Sequence, residues 1–322
     1  MAKRVDAPLS WQADQFQDLS GTSSSTQKFD NPYDVLIHGS NNDAALIQER
    51  YSNHRTGRNQ QQRAKLLSND FAGVSVDPVL YNLVNDSSYK DPRYCLVFWA
   101  RPTQHVKNLI KQIQDMIAAD FPKLWFMPQT CLHMTTLEIT HSRTEADVAQ
   151  LVDGILPGVT ELTDYTFDHR ARLIKPLMSF DASAFALSFI PAAGENLSDG
   201  RTASDDKYTY HHLRRDVYNL SKKLVDVDSR YTVPSSHLTV GRFIDKDAFS
   251  TAEGTPDAEK MKKLVQKFDE INDWLQREYW PTSDGRIKEG GEWIVGQTQG
   301  LDFRRGTLWY GGGASVRLGK GF

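Results

Sequence analysis

Two short apolar runs of this chain carry the same three-residue device. The first is Cys131-Leu132-His133-Met134-Thr135-Thr136-Leu137-Glu138-Ile139, the second Ser236-His237-Leu238-Thr239-Val240-Gly241-Arg242-Phe243. Both read as short buried strands. Side chains alternate faces along a strand, so each histidine shares a face with the threonine two residues on. One His-x-Thr by itself is a common pattern, satisfied by an ordinary half-buried histidine. The recurrence at positions 133 and 237, 104 residues apart and each followed by an amphipathic helical pattern, reads as an internal duplication. A chain built this way is expected to fold as two related lobes.

At 322 residues the chain can bury the core of one bilobal domain or two smaller ones. Its formal charge of −3 and pI near 6.3 are not a basic nucleic-acid footprint for the surface as a whole, so DNA is not expected as a partner. Two cysteines, Cys95 and Cys131, are too few for a disulfide framework and lack metal-ligand spacing. Both fall in expected buried strands, as small hydrophobes. No window approaches the ~20 apolar residues of a membrane span, and Met1 to Ser24 has no apolar stretch of signal-peptide type. The expectation is a soluble intracellular protein, cytoplasmic or nuclear, without a membrane partner.

Residues 1–30, rich in Ser, Thr, Gln and Asp, are expected to form a disordered polar arm. Residues 31–93 read as a helical N-terminal extension: a polar surface helix over 42–67 with a break near Thr56-Gly57, then a short helix opened by Asp77-Pro78. The repeated part spans 94–322. Tyr94 to Ala100 reads as a strand. Val106, Leu109, Ile110, Ile113, Met116 and Ile117 fall at helical spacing over 103–119. The first motif strand covers 131–139, and Thr144-Glu145-Ala146-Asp147 resembles a capping box opening the next helix. Strands are expected at 165–175 and 183–190, a polar loop over 191–206, a helix at 208–225, the second motif strand at 236–243 and a long helix at 256–279. Strands at 292–297 and 303–310 and a Gly311-Gly312-Gly313 turn complete an α+β fold.

Each device pairs an imidazole, which exchanges a proton near neutrality, with a hydroxyl that can donate to an anion. Two of them face to face form a site for acid–base chemistry on a phosphodiester, one histidine as base and the other as acid, with Thr135 and Thr239 on the non-bridging oxygens. No cofactor or metal is called for. A metal site would have to draw on His133, His141, His169, His211, His212 and His237, but no His-x-x-x-His or Cys-x-x-Cys spacing supports one, and threonine is a poor zinc ligand. Adjacent His211 and His212 read as the surface start of a helix. Gly311-Gly312-Gly313 lacks the lysine and spacing of a phosphate-binding loop, so ATP-dependent chemistry has no support. The alternative is a module that holds an RNA end or nucleotide in the same cleft without turnover.

The paired His-x-Thr strands resemble those of the 2H phosphoesterase superfamily, which includes 2′,5′-RNA ligase-like proteins and cyclic nucleotide phosphodiesterases. The resemblance covers residues 94–310 and leaves out the first ninety. It implies two ferredoxin-like lobes about a pseudo-twofold axis, with His133, Thr135, His237 and Thr239 catalytic and a nucleotide or RNA end as substrate. For a 2′,3′-cyclic phosphate it implies a 2′-phosphate product. The strand Leu96-Val97-Phe98-Trp99-Ala100-Arg101-Pro102 looks like the first strand of the cyclic phosphodiesterases, which implies Trp99 as a wall for base or ribose. Arg242 lies just beyond the second motif, where the resemblance implies an aromatic near the substrate, and this chain departs from that pattern; strict strand alternation turns Arg242 off the His237/Thr239 face.

Overall fold

The computed structural model describes residues 17–22, 28–195, 197 and 200–322. Most of the 1–30 arm lies outside the described residues. The fold is α+β and bilobal. Its helices are α1 (Asp34–Gly39), α2 (Ala44–Leu66), α3 (Pro78–Asn85), α4 (Gln104–Asp120), α5 (Glu145–Ile155), α6 (Val159–Asp164), α7 (Tyr210–Lys222) and α8 (Ala258–Tyr279). Its strands are β1 (Tyr94–Ala100), β2 (Trp125–Phe126), β3 (Met134–Arg143), β4 (Arg172–Phe180), β5 (Ala184–Pro191), β6 (Ser236–Arg242), β7 (Glu292–Ile294), β8 (Gln299–Gly306) and β9 (Ala314–Lys320). Among the described residues no helix is long and apolar enough to cross a membrane.

The strands form two antiparallel sheets, ordered β3-β1-β8-β9 and β2-β6-β5-β4-β7. The lobes are not consecutive in sequence. β2 crosses early to pair with β6, and β8 and β9 return from the far end of the chain to the first sheet. Periodicity alone assigns the last strands to the second half, because it reads faces and not partners. The return is sealed in the core, where Phe98 of β1 stacks on its cross-strand partner Phe303 of β8 at 4.7 Å.

Helices form where the sequence pattern calls for them. Thr103 caps α4, whose Val106, Leu109, Ile110, Ile113 and Ile117 are buried at i, i+3/i+4 spacing. Thr144 and Asp147 make the reciprocal capping box of α5. Other elements depart from expectation. Tyr165–Phe167 is a 3-10 turn following α6, so the strand starts only at Arg172. The expected 303–310 strand starts earlier and ends at Gly306. Cys131 lies in a 3-10 turn ahead of β3.

α2 runs unbroken through Thr56-Gly57, and Asp43 caps it by accepting from the Leu46 amide. The expected break fails because one glycine costs a 23-residue helix only ~1 kcal/mol. Its polar sequence also misleads about burial. Ile47, Tyr51, His54, Arg55, Gln62 and Leu66 form a stripe against the second sheet. His211 and His212, expected at the surface, are both buried. The His211 ring bridges the Tyr51 hydroxyl and the Tyr33 carbonyl, while His212 closes the cap of α7 with Thr209 and reaches Asn42.

Candidate active site

The two motif strands meet at the junction of the sheets, and each carries the same irregularity. On β3, Trp99 of β1 pairs with Thr135 and Phe98 with Leu137, which leaves Thr136 as an extra residue. On β6, Ala186 pairs with Thr239 and Phe185 with Gly241, which leaves Val240 extra. A bulge of one residue resets the alternation of faces. Beyond each bulge the cleft face therefore passes from the odd positions of the motif to the third residue after the threonine. That residue is Glu138 in the first lobe and Arg242 in the second.

Both bulges are held from behind by buried side chains. The Thr136 carbonyl accepts from Arg214 Nε at 3.3 Å. The Val240 carbonyl accepts from the Met127 amide at 3.0 Å and from Gln114 Nε2 at 3.1 Å. Gly241 is required by close approach, since a Cβ there would stand 2.4 Å from the Phe185 ring and 2.6 Å from the Trp125 carbonyl. The bulge corrects the expectation from strict alternation: Arg242 shares the face of His237 and Thr239.

All six residues singled out from sequence come together. Trp99, His133, Thr135, His237, Thr239 and Arg242 line one cavity of about 70 Å³. The same cavity receives Glu138, Arg230, Tyr231 and Trp309, which sequence reasoning missed. Arg230 forks onto Glu138 through Nε at 3.0 Å and Nη2 at 2.8 Å. The signal that could have found Glu138 is the repeated spacing His-x-Thr-x-x-charge, read with a bulge in both strands.

His133 lies just ahead of β3. Its Nδ1 is 2.7 Å from the Cys131 carbonyl. A carbonyl only accepts, so Nδ1 carries the proton and the neutral ring keeps its lone pair on Nε2. The turn between β8 and β9 braces this segment: Gly311, at φ +90°, packs so close that a Cβ would overlap the Cys131 thiol. The His133 ring lies on the Trp99 indole. Trp99 is 1 % exposed, with Arg101 and Arg304 also over its ring at 4.8 and 5.0 Å. This geometry makes Trp99 the bed of the imidazole, in place of the open stacking wall the resemblance implies.

His237 Nδ1 meets the Ser235 hydroxyl at 2.9 Å. Burial pushes the His133 imidazole down to about 3, aided by the charges of Arg101 and Arg304 and opposed by the Cys131 hydrogen bond. Burial likewise takes His237 down to about 4, reinforced by Arg58, Arg214 and Arg242. Both imidazoles are thus neutral near pH 7, held there by desolvation and by a surplus of guanidinium charge. The Arg242 guanidinium lies 5.4 Å from the Tyr310 ring, and its buried Nε has no hydrogen-bond partner among the described residues.

Cys95 lies in the small core around Trp99, where burial pushes its thiol up to about 11 and makes it unreactive. No group of three or more His, Cys, Asp or Glu side chains is placed to hold a metal among the described residues.

No protein-family model matches the chain, and no curated protein matches it in sequence. Solved structures similar to it include TT0787 of Thermus thermophilus, with 14% identity over 70% of this chain and 96% of that one at a TM-score of 0.39. A conserved protein of Agrobacterium tumefaciens, ATU0111, is 13% identical over 70% of this chain and 86% of its own, with a TM-score of 0.42. Kluyveromyces marxianus Usb1, solved with uridine monophosphate, is 10% identical over 70% of this chain and 96% of its own, with a TM-score of 0.36.

Proposed function

We propose that the chain is a phosphodiesterase that uses two histidines and needs no metal ion. Its substrate is a 2′,3′-cyclic phosphate, or a 2′-5′ or 3′-5′ phosphodiester, of a nucleotide or RNA end. The observation that carries this reading is the convergence of His133, Thr135, His237 and Thr239 on one cavity, with Arg242 turned in by the bulge.

One imidazole takes the proton of the attacking water, and the other gives a proton to the departing ribose oxygen. The threonine hydroxyls and Arg242 face the non-bridging oxygens, whose charge grows in the transition state. Burial is the larger cause of the neutral rings and the guanidinium fields add to it; an anion in the cleft offsets those fields, so substrate binding raises the histidine pKa values toward the working range. The acid is thereby charged by the substrate it acts on.

The test is turnover of a panel in excess chelator: 2′,3′-cyclic nucleotides, 2′-5′ and 3′-5′ dinucleotides, and a short RNA ending in a cyclic phosphate. Turnover by the wild type, lost in the double variant His133→Ala/His237→Ala, identifies both the chemistry and the linkage. Binding of panel members without turnover would replace this reading with a nucleotide- or RNA-end-binding module.

A further inference from the structure

The cleft continues past the two motifs. A second cavity of about 150 Å³ shares Thr135, His237, Thr239 and Arg242 with the first and extends beneath α2. Four arginines line it, Arg55, Arg58, Arg214 and Arg242, against one carboxylate, Asp181. A phosphodiester between the histidines carries a single negative charge. The lining therefore holds more positive charge than one diester can neutralise.

Arg55 and Arg58 come from α2. Arg55 is 6 % exposed, and its Nη1 donates to the carbonyls of Lys175 at 2.7 Å and Ser188 at 3.3 Å. Its Nε is buried without a partner among the described residues. Burial without a compensating carboxylate pulls this guanidinium down to about 9. Arg58 Nη2 donates to Asp181 at 3.0 Å, with 17 % of the side chain exposed. His54 accepts the Leu19 amide on Nδ1 at 3.1 Å, so its neutral ring carries the proton on Nε2 and adds a neutral donor to the same wall. Four guanidinium groups against one carboxylate on a single cavity wall suit planar, two-point recognition of phosphate oxygens.

We propose that this annex binds a second phosphate group of the substrate, at Arg55 and Arg58, while the scissile phosphate lies between His133 and His237. The assignment rests on the phosphodiesterase reading for the place of the first phosphate. The second is a terminal 5′-phosphate or the next bridging phosphate of an oligonucleotide, since both present the same oxygens at the same remove.

The experiment is calorimetric binding of three probes: adenosine 2′-monophosphate, adenosine 2′,5′-bisphosphate, and a diadenosine dinucleotide with a 2′-terminal phosphate. Turnover of adenosine 2′,3′-cyclic phosphate is measured alongside. The wild type should bind the bisphosphate, the dinucleotide or both at least tenfold more tightly than the monophosphate, and whichever gains identifies the source. Arg58→Gln should cut that preference below threefold, with Arg58→Lys restoring part of it. Arg55→Lys serves as a second variant, each checked for an unchanged melting profile. Equal affinities in the wild type, an equal loss for all three probes in the variants, or no binding of any probe would overturn the annex. Turnover without the preference would leave the phosphodiesterase reading standing. The preference without turnover would uphold the annex and contradict that reading.

Discussion

The imidazole of His133 lies flat on the indole of Trp99, ring centroids 3.7 Å apart and planes inclined by 15°. With Nδ1 held by the Cys131 carbonyl, the ring is fixed in tilt by the stack and in rotation by the hydrogen bond. Trp99 should therefore matter to rate more than to affinity. Trp99→Phe keeps an aromatic bed and should lower kcat about tenfold or less, the ~0.5–1.5 kcal/mol of an aromatic contact. Trp99→Leu should lower it further with KM nearly constant. Steady-state kinetics separate the two parameters, and a rise in KM alone would return Trp99 to substrate stacking.

The threonines supply donors without charge. Thr135→Val and Thr239→Val preserve shape and remove one hydroxyl each. Each should reduce kcat by roughly 10²–10³, the usual cost of losing one donor to a developing oxyanion. The melting temperature should hardly move.

Gly241 links backbone packing to the site. In Gly241→Ala the new methyl meets the Phe185 ring and the Trp125 carbonyl, and the carbonyl is backbone that cannot swing aside. The strain should cost ~1–3 kcal/mol of stability, read by urea denaturation, and displace Arg242. kcat/KM should fall even where the variant is fully folded. An unaltered kcat/KM would detach Arg242 from the chemistry.

Two histidines at their ordinary pKa would give a bell centred near neutrality. Burial pushes them down to about 3 and about 4, so between pH 5 and 8 the protonated acid is a shrinking fraction of free enzyme. log kcat/KM should fall with a slope near −1 over that range. The profile of kcat, set by the complex in which bound anion raises both values, should lie at higher pH. A kcat/KM that is flat or rising from pH 5 to 8 would contradict the electrostatics described for the site.

Much of this was legible in the sequence, for identifiable reasons. The motif strands, α4, α5 and α8 follow from apolar periodicity and capping residues, which are local signals. The four motif residues share one cavity, as the duplicated device suggests, and Trp99 and Arg242, singled out by the resemblance alone, line it with them. The interleaving of β2, β8 and β9 between lobes was not legible, because partner choice is nonlocal. The inward turn of Arg242 and Glu138 was hidden by bulges that break the two-residue period after each threonine. α2 was misread because its buried stripe uses His54, Arg55 and Gln62, which hydropathy counts as surface. His54 and Arg55 are buried because the Leu19 amide and carbonyls of the second sheet meet them there.

The most direct measurement is kcat/KM of the wild type, His133→Ala and His237→Ala on the best substrate of the panel, in chelator and with folding verified for each. The account predicts that either single substitution lowers the rate by at least about 10², the lower end for a positioned acid or base. Near-wild-type rates in both variants would contradict it.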